Sequence, residues 1–229
     1  MRCTFKSHIA GYQPWLALLI AMVIVAVPIR HATAQSEATV VVSEPAQGTF
    51  LVAKRSLVDP SFGESVVYLV AHDEDGSVGV IINRRSKLDL AETVPDLENA
   101  RESDHSLYYG GPVELSMVLM LTRGGSEIEG LMHVGDGVHI SSERPVIEAA
   151  LAGEDSQREL RFYIGYSGWA GGQLVQELVR GSWHIVRGDP DAIFAADTRG
   201  LWDELIDALE PDGIQVEIRP ETKLLALSR

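Results

Sequence analysis

The stretch VYLVAHDEDGSVGVIIN at residues 67–83 sets two apolar runs on either side of a polar tip. Val, Ile and Tyr at that density suit a pleated, half-buried surface. Asp75-Gly76 between them is hairpin-turn chemistry, because glycine enters φ > 0 without a Cβ clash. The pattern predicts antiparallel strands over 65–72 and 78–83. Working outward, similar runs rich in β-branched residues predict strands over 49–53, 116–122, 160–166, 182–186 and 214–218.

Three segments switch to a helical period. Residues 144–152 place Val146, Ile147, Ala150 and Leu151 on one face, with Pro145 tolerated in the first turn and Gly153 as the stop. Residues 173–180 carry Leu174, Val175, Leu178 and Val179 as a stripe ended by Gly181. Residues 199–209 do likewise with Leu201, Trp202, Leu205, Ile206 and Leu209 ahead of Pro211. Strands outnumber helices and cluster early, which predicts an α+β fold rather than a regular strand–helix alternation. No repeat or Pro/Ser-rich linker interrupts residues 48–229, so they read as a single domain.

The chain has 229 residues, with 19 Lys+Arg against 33 Asp+Glu and a formal charge of −14. With 45% hydrophobic and 23% charged residues it is globular in composition, neither disordered nor a multi-span membrane protein. The single cysteine, Cys3, excludes an internal disulfide framework and a cysteine-rich zinc site.

Residues 1–34 read as a targeting segment. Arg2 and Lys6 precede a charge-free apolar run over 15–27, Pro28 breaks it, and Ala32-Thr33-Ala34 has the small-x-small pattern of a cleavage site. The run is shorter than the roughly 20 residues that a spanning helix needs. A cleaved signal peptide is therefore expected, with an uncleaved inner-membrane anchor over 14–29 as the alternative. Cleavage removes Arg2, Lys6, Arg30 and Cys3 but no acid, which takes the charge from −14 to −17. The mature protein would be periplasmic or secreted, with a flexible N-terminal arm over 35–47. It would touch a membrane only through an uncleaved N-terminal segment.

Four motifs in order carry a resemblance. They are GTFLVA at 48–53 followed by DPSF at 59–62, the stretch at 67–83, YYGGPV at 108–113, and GYSGWAGGQL at 165–174. Trp183 and Leu201-Trp202 follow in the expected order. The set resembles the YqgE/AlgH family, bacterial proteins of largely unassigned function. The resemblance implies a mixed sheet folded into a pseudo-barrel with helices packed outside. One founding member was named a transcriptional regulator. The chain departs from the usual pattern at Lys54-Arg55, at Arg84-Arg85, and at Ser167, where alanine is usual.

Gly165-Tyr166-Ser167-Gly168-Trp169 comes close to a hydrolase nucleophile elbow, but Trp169 stands where the closing glycine belongs. A glycine-rich turn is favoured over a nucleophile, so no catalytic residue is assigned; a hydrolase using Ser167 stays as an alternative. The candidate ligand or partner surface is Gly110, Gly111, Pro112, Tyr166, Gly168, Trp169, Gly171, Gly172 and Gln173. Its glycines permit close backbone approach, and the helix start near Gln173 offers N–H groups to an anion. Tight packing is the competing reading; a shared cleft between Gly110 and Trp169 would decide for ligand binding.

His72-Asp73-Glu74-Asp75-Gly76 lacks the spacing of a calcium loop and reads as a solvated hairpin tip. An Asp136-Gly137 turn would pair Val134 with His139 and send His133 and His139 to opposite faces. No metal or cofactor is expected. Lys54-Arg55 and Arg84-Arg85 with Lys87 are the basic clusters, and in so acidic a chain they do not make a nucleic-acid site. The sequence thus points to an exported, non-catalytic binding or regulatory module with a protein or small-molecule partner, the family's regulator label remaining an alternative.

Overall fold

In the computed structural model, which describes residues 40–97, 99–100, 105–153 and 158–211, ten strands and five helices follow one another. They are β1 (Thr49–Ala53), β2 (Val66–His72), β3 (Gly76–Ile81), β4 (Arg85–Asp89), α1 (Leu90–Thr93), β5 (Ser106–Tyr109), β6 (Val113–Arg123) and β7 (Met132–Gly135). There follow β8 (Val138–Ser141), α2 (Arg144–Ala152), β9 (Glu159–Ala170), α3 (Gln173–Val179), β10 (Trp183–Arg187), α4 (Pro190–Phe194) and α5 (Leu201–Leu209). The targeting segment, the start of the arm and the strand expected over 214–218 lie outside the described residues.

The strands join one mixed sheet in the order β10-β1-β2-β3-β9-β6-β8-β7, with β5 parallel to β9 and β4 antiparallel to β5. The fold is α+β in a single domain, as the pattern predicted. β9 organises it. Residues 159–166 pair with β6, 162–164 pair with β5, and 167–170 pair with β3. Consecutive side chains on β9 enter different cores: Phe162 joins a small core with Ile147 and Ala150 of α2, and Tyr163 joins the main one. Both are fully buried, so β9 is covered on both faces like a central strand of a layered fold.

The sheet curls, and its far ends meet. Gln47 Nε2 donates to the His133 carbonyl at 2.8 Å, and Arg187 Nη2 to Asp136 Oδ2 at 3.1 Å. Helices fasten on by apolar faces and single polar anchors; Trp202 of α5 donates its indole N–H to the Ala53 carbonyl at 2.7 Å.

Several expectations are adjusted by pairing. The strand expected over 160–166 continues to Ala170 because β3 takes over as its partner at Ser167. β4 and β5 have no counterpart among the expected strands; β4 is polar and mostly exposed, and its partner β5 ends just before Gly110, while β7 and β8 flank the expected Asp136-Gly137 turn. From Val40 onward the segment expected as a flexible arm lies along β10. The Arg187 N–H donates to the Val40 carbonyl at 2.9 Å, and the Val42 N–H to the Ile185 carbonyl at 3.1 Å.

Candidate functional site

The two glycine motifs do come together, as backbone against backbone rather than as the walls of a cleft. The Gly110 N–H donates to the Ile164 carbonyl at 2.9 Å, and the Gly110 carbonyl accepts from the Ile81 N–H at 2.9 Å. A Cβ on Gly110 would sit inside the van der Waals shell of the Gly165 carbonyl, and one on Gly111 inside that of Tyr166. Gly165 has φ of +67°, and a Cβ there would lie 2.6 Å from the Gly111 oxygen and 2.8 Å from the Val113 oxygen. Side chains are excluded here by contact. Pro112 begins the turn back into β6, where no donor is needed.

Ser167 lies within β9, not at a strand-to-helix turn. It is wholly buried, and its Oγ donates to the Gly110 carbonyl at 3.1 Å. Its hydroxyl is thus a strut between the two motifs. His72 bonds elsewhere, with Nδ1 2.7 Å from Ser77 Oγ.

Trp169 is also not a contact platform. It is 5% exposed, stacks on Phe62 at 5.8 Å and meets Trp183 edge-on at 6.1 Å. The indole N–H groups of Trp169 and Trp183 both donate to Glu177 Oε2, at 3.0 and 2.9 Å. The other oxygen, Oε1, accepts from Gln173 Nε2 at 3.1 Å, and Gln173 Oε1 accepts from the Ala170 N–H at 3.1 Å. Glu177 therefore ties β9, α3 and β10 together. Sequence reasoning missed it, although an acid beside the apolar residues of a short helix was a signal.

α3 has seven residues and no side-chain cap at its start; Gln173 Oε1 instead reaches back to the Ala170 N–H ahead of the helix. Gly172 takes φ of +74° with open space around it, and Gly168 needs no unusual φ. Tyr166 is half-buried, while Gly168, Gly171 and Gln173 are exposed. The stripe reading of α3 also changes: Leu174 is buried, but Val175 and Val179 are 50% and 84% exposed. These two valines and Leu178 line a cleft of about 510 Å³ with Ser43, Glu44, Pro45 and His72.

The histidines differ from expectation. A bulge brings Gly135 opposite Val138, so His133 pairs directly with His139 and their rings lie 5.3 Å apart. Among the described residues no three His, Cys, Asp or Glu side chains gather as a metal site. At the hairpin tip, Asp73 Oδ1 accepts from the Asp75 and Gly76 N–H groups at 2.9 and 3.1 Å, which makes it a turn residue. Arginines of both basic clusters are spent on the fold. Arg84 Nη2 donates to the Gly63 carbonyl at 2.7 Å, and Arg55 pairs with Asp207 beside Trp202.

The glycine crossing makes a graded prediction. Gly165→Ala combines a positive φ with two carbonyl contacts and should cost at least about 1–3 kcal/mol, with Gly110→Ala similarly severe. Gly172→Ala should cost about 1 kcal/mol through φ alone. Gly168→Ala should stay near wild type, because its Cβ meets the edge of the Tyr166 ring and a Val113 methyl, both side chains, and no backbone. Urea unfolding of the four variants checks the order.

The AlgH-like family model, DUF179, matches residues 50–213. A UPF0301 protein of Ralstonia nicotianae is 34% identical over 149 residues, covering 63% of this chain and 78% of that protein. One from Bacteroides fragilis is 32% identical, covering 72% and 83%. The solution structure of the AlgH protein from Pseudomonas aeruginosa superimposes with a TM-score of 0.62 at 29% identity, over 74% of this chain and 92% of that one. A crystal structure from Corynebacterium diphtheriae shares the fold at a TM-score of 0.59 and 24% identity, over 72% and 87%. With its motifs packed into the sheet that this family builds, the chain belongs to the AlgH-like family.

Proposed function

We propose that the chain is an exported, non-catalytic binding or regulatory module that works in the periplasm or outside the cell. The observation that carries the non-catalytic part is Ser167, fully buried and bonded to the Gly110 carbonyl within the sheet. A nucleophile has to reach its substrate, and a base has to stand within hydrogen-bond reach of it. Ser167 has neither property. Its partner is a protein or small molecule, since the chain's charge of −14 repels a polyanion and Arg55 and Arg84 of its basic clusters serve internal contacts.

Ser167→Ala should fold and function like wild type, losing about 1 kcal/mol, because the Gly110 carbonyl keeps the Ile81 N–H. A serine-directed phosphonate should leave Ser167 unlabelled; covalent labelling there would restore the hydrolase reading.

Export is read from the N-terminus of the protein as it occurs in the envelope. Mass spectrometry should place that terminus at Gln35. The intact chain in the cytosol would contradict export.

In gel retardation the purified chain should show no salt-sensitive binding to duplex DNA. Sequence-specific retardation at physiological salt would replace the module by a transcriptional regulator.

A further inference from the structure

The cleft beside α3 is walled by three segments that are distant in sequence, each pinned by its own bond. The arm forms one wall. The Val42 N–H donates to the Ile185 carbonyl at 3.1 Å, and the chain then bends through Ser43 and Glu44 to Pro45 along the cleft. α3 forms the second wall. Leu174 enters the core and Glu177 takes the two indole N–H groups, which sets Val175, Leu178 and Val179 along the cleft. His72, the last residue of β2, forms the third, with Nδ1 2.7 Å from Ser77 Oγ. A site whose walls are already pinned loses little freedom when a ligand enters.

The cleft is open to solvent, and its volume of about 510 Å³ is that of a small-ligand site. Val175 and Val179 leave apolar surface in water that a hydrocarbon would cover. Glu44 is the one carboxylate in the lining, and among the described residues no Lys or Arg lines the cleft. Nor does Glu44 make an ion pair with any described residue. Next to His72 the hairpin tip adds three exposed acids, Asp73, Glu74 and Asp75. Arg180 follows Val179 on the chain but stays outside the lining. Charge therefore selects the occupant. A neutral ligand that covers the valines also strips water from Glu44, and a carboxylate that loses water without a counter-charge is costly. An anion adds repulsion. A second copy of a chain of charge −14 would bring its own acids against these. A cation on a hydrocarbon body answers both the valines and the carboxylate.

We infer that this cleft binds a small organic cation, a primary amine whose ammonium pairs with Glu44 and whose hydrocarbon body lies against Val175, Leu178 and Val179. An ammonium has three N–H donors, which the Glu44 carboxylate and the Ser43 hydroxyl share. The inference rests on the binding-module reading and gives it a ligand class. Residues 43–45 precede the residues 50–213 that the family model matches, so the wall carrying the charge belongs to this chain rather than to the matched domain.

The test is an NMR titration of the full chain with hexylammonium chloride, read at the Val175 and Val179 methyl groups. Hexanol and sodium hexanoate at matched ionic strength are the comparison ligands. Saturable shifts with a Kd of about 1–10 mM are expected for a ligand of this size. Hexanol should bind about three- to fivefold more weakly, the worth of a partly exposed ion pair, and hexanoate more weakly still. Glu44→Gln should erase the preference for hexylammonium over hexanol, and Val179→Ser should weaken both. Both side chains are exposed, so both variants keep the fold. Asp203→Asn, on α5, should change neither ligand's binding. No saturable shift up to about 50 mM, hexanol binding as tightly as hexylammonium, or a preference that survives Glu44→Gln would overturn the assignment. So would methyl shifts that depend on protein concentration alone, which give the cleft to a second copy. A Leu-Lys-Leu peptide that binds where hexylammonium does not would give it to a protein segment and overturn it too. If hexylammonium fails to bind and DNA is not retarded, only the amine site falls. If DNA is retarded while hexylammonium binds as described, only the module reading falls.

Discussion

Where residues 110–111 pass over residue 165, two backbones approach so closely that no Cβ fits between them. Much follows from that contact. It fixes how the β5–β6 corner sits on β9, and β9 is the strand on which β3, β5 and β6 all pair. The Gly110 amide and carbonyl each take a partner from a different strand, so the corner is stitched into the sheet on both sides. Ser167 adds a third bond to the same carbonyl. The glycines here serve close packing, and the serine between them serves as a brace. A motif that looks like a binding loop in one dimension is the keystone of the sheet in three.

Beyond the crossing, a single carboxylate performs a similar service for the helix that follows. Glu177 gathers the indole N–H groups of Trp169 and Trp183 on one oxygen and Gln173 on the other. Removing it would leave two largely buried indole donors bare, and each such donor costs about 1–3 kcal/mol. With its inner face occupied in this way, α3 turns Val175 and Val179 outward over a cleft. Arg161 and Tyr163 lie beside the glycine crossing, with Tyr163 against Gly110, and Arg161 reaches the segment that joins α4 to α5. The glycine motifs thus build a rigid scaffold, and the outer face of α3 beside them stays exposed.

The parts of the fold legible in the sequence were those set by local chemistry. Pro145 and Gly153 bracket α2, which runs Arg144–Ala152 as expected, and β1 runs Thr49–Ala53. Non-local features were not legible. The face each histidine occupies depends on a bulge between β7 and β8, and a one-residue change of register exchanges faces. Val175 and Val179 have core-like spacing, yet a seven-residue helix held by Glu177 buries Leu174 instead. Arg161 sits in an ordinary apolar strand pattern, and only the pairing of β5 with β9 sets it over Tyr108. The two motifs of the candidate surface meet in the structure, as backbone packed on backbone. Their role depended on a distance that no sequence records.

Native-state hydrogen exchange tests the central claim, that this crossing is structural, most directly. If the crossing holds the sheet together, the Gly110 and Ile81 amides should open only with global unfolding, and their exchange free energies should fall with denaturant at the full global slope. Fast exchange of Gly110 through a local opening, insensitive to low denaturant, would instead mark a mobile loop available to a ligand and contradict the account.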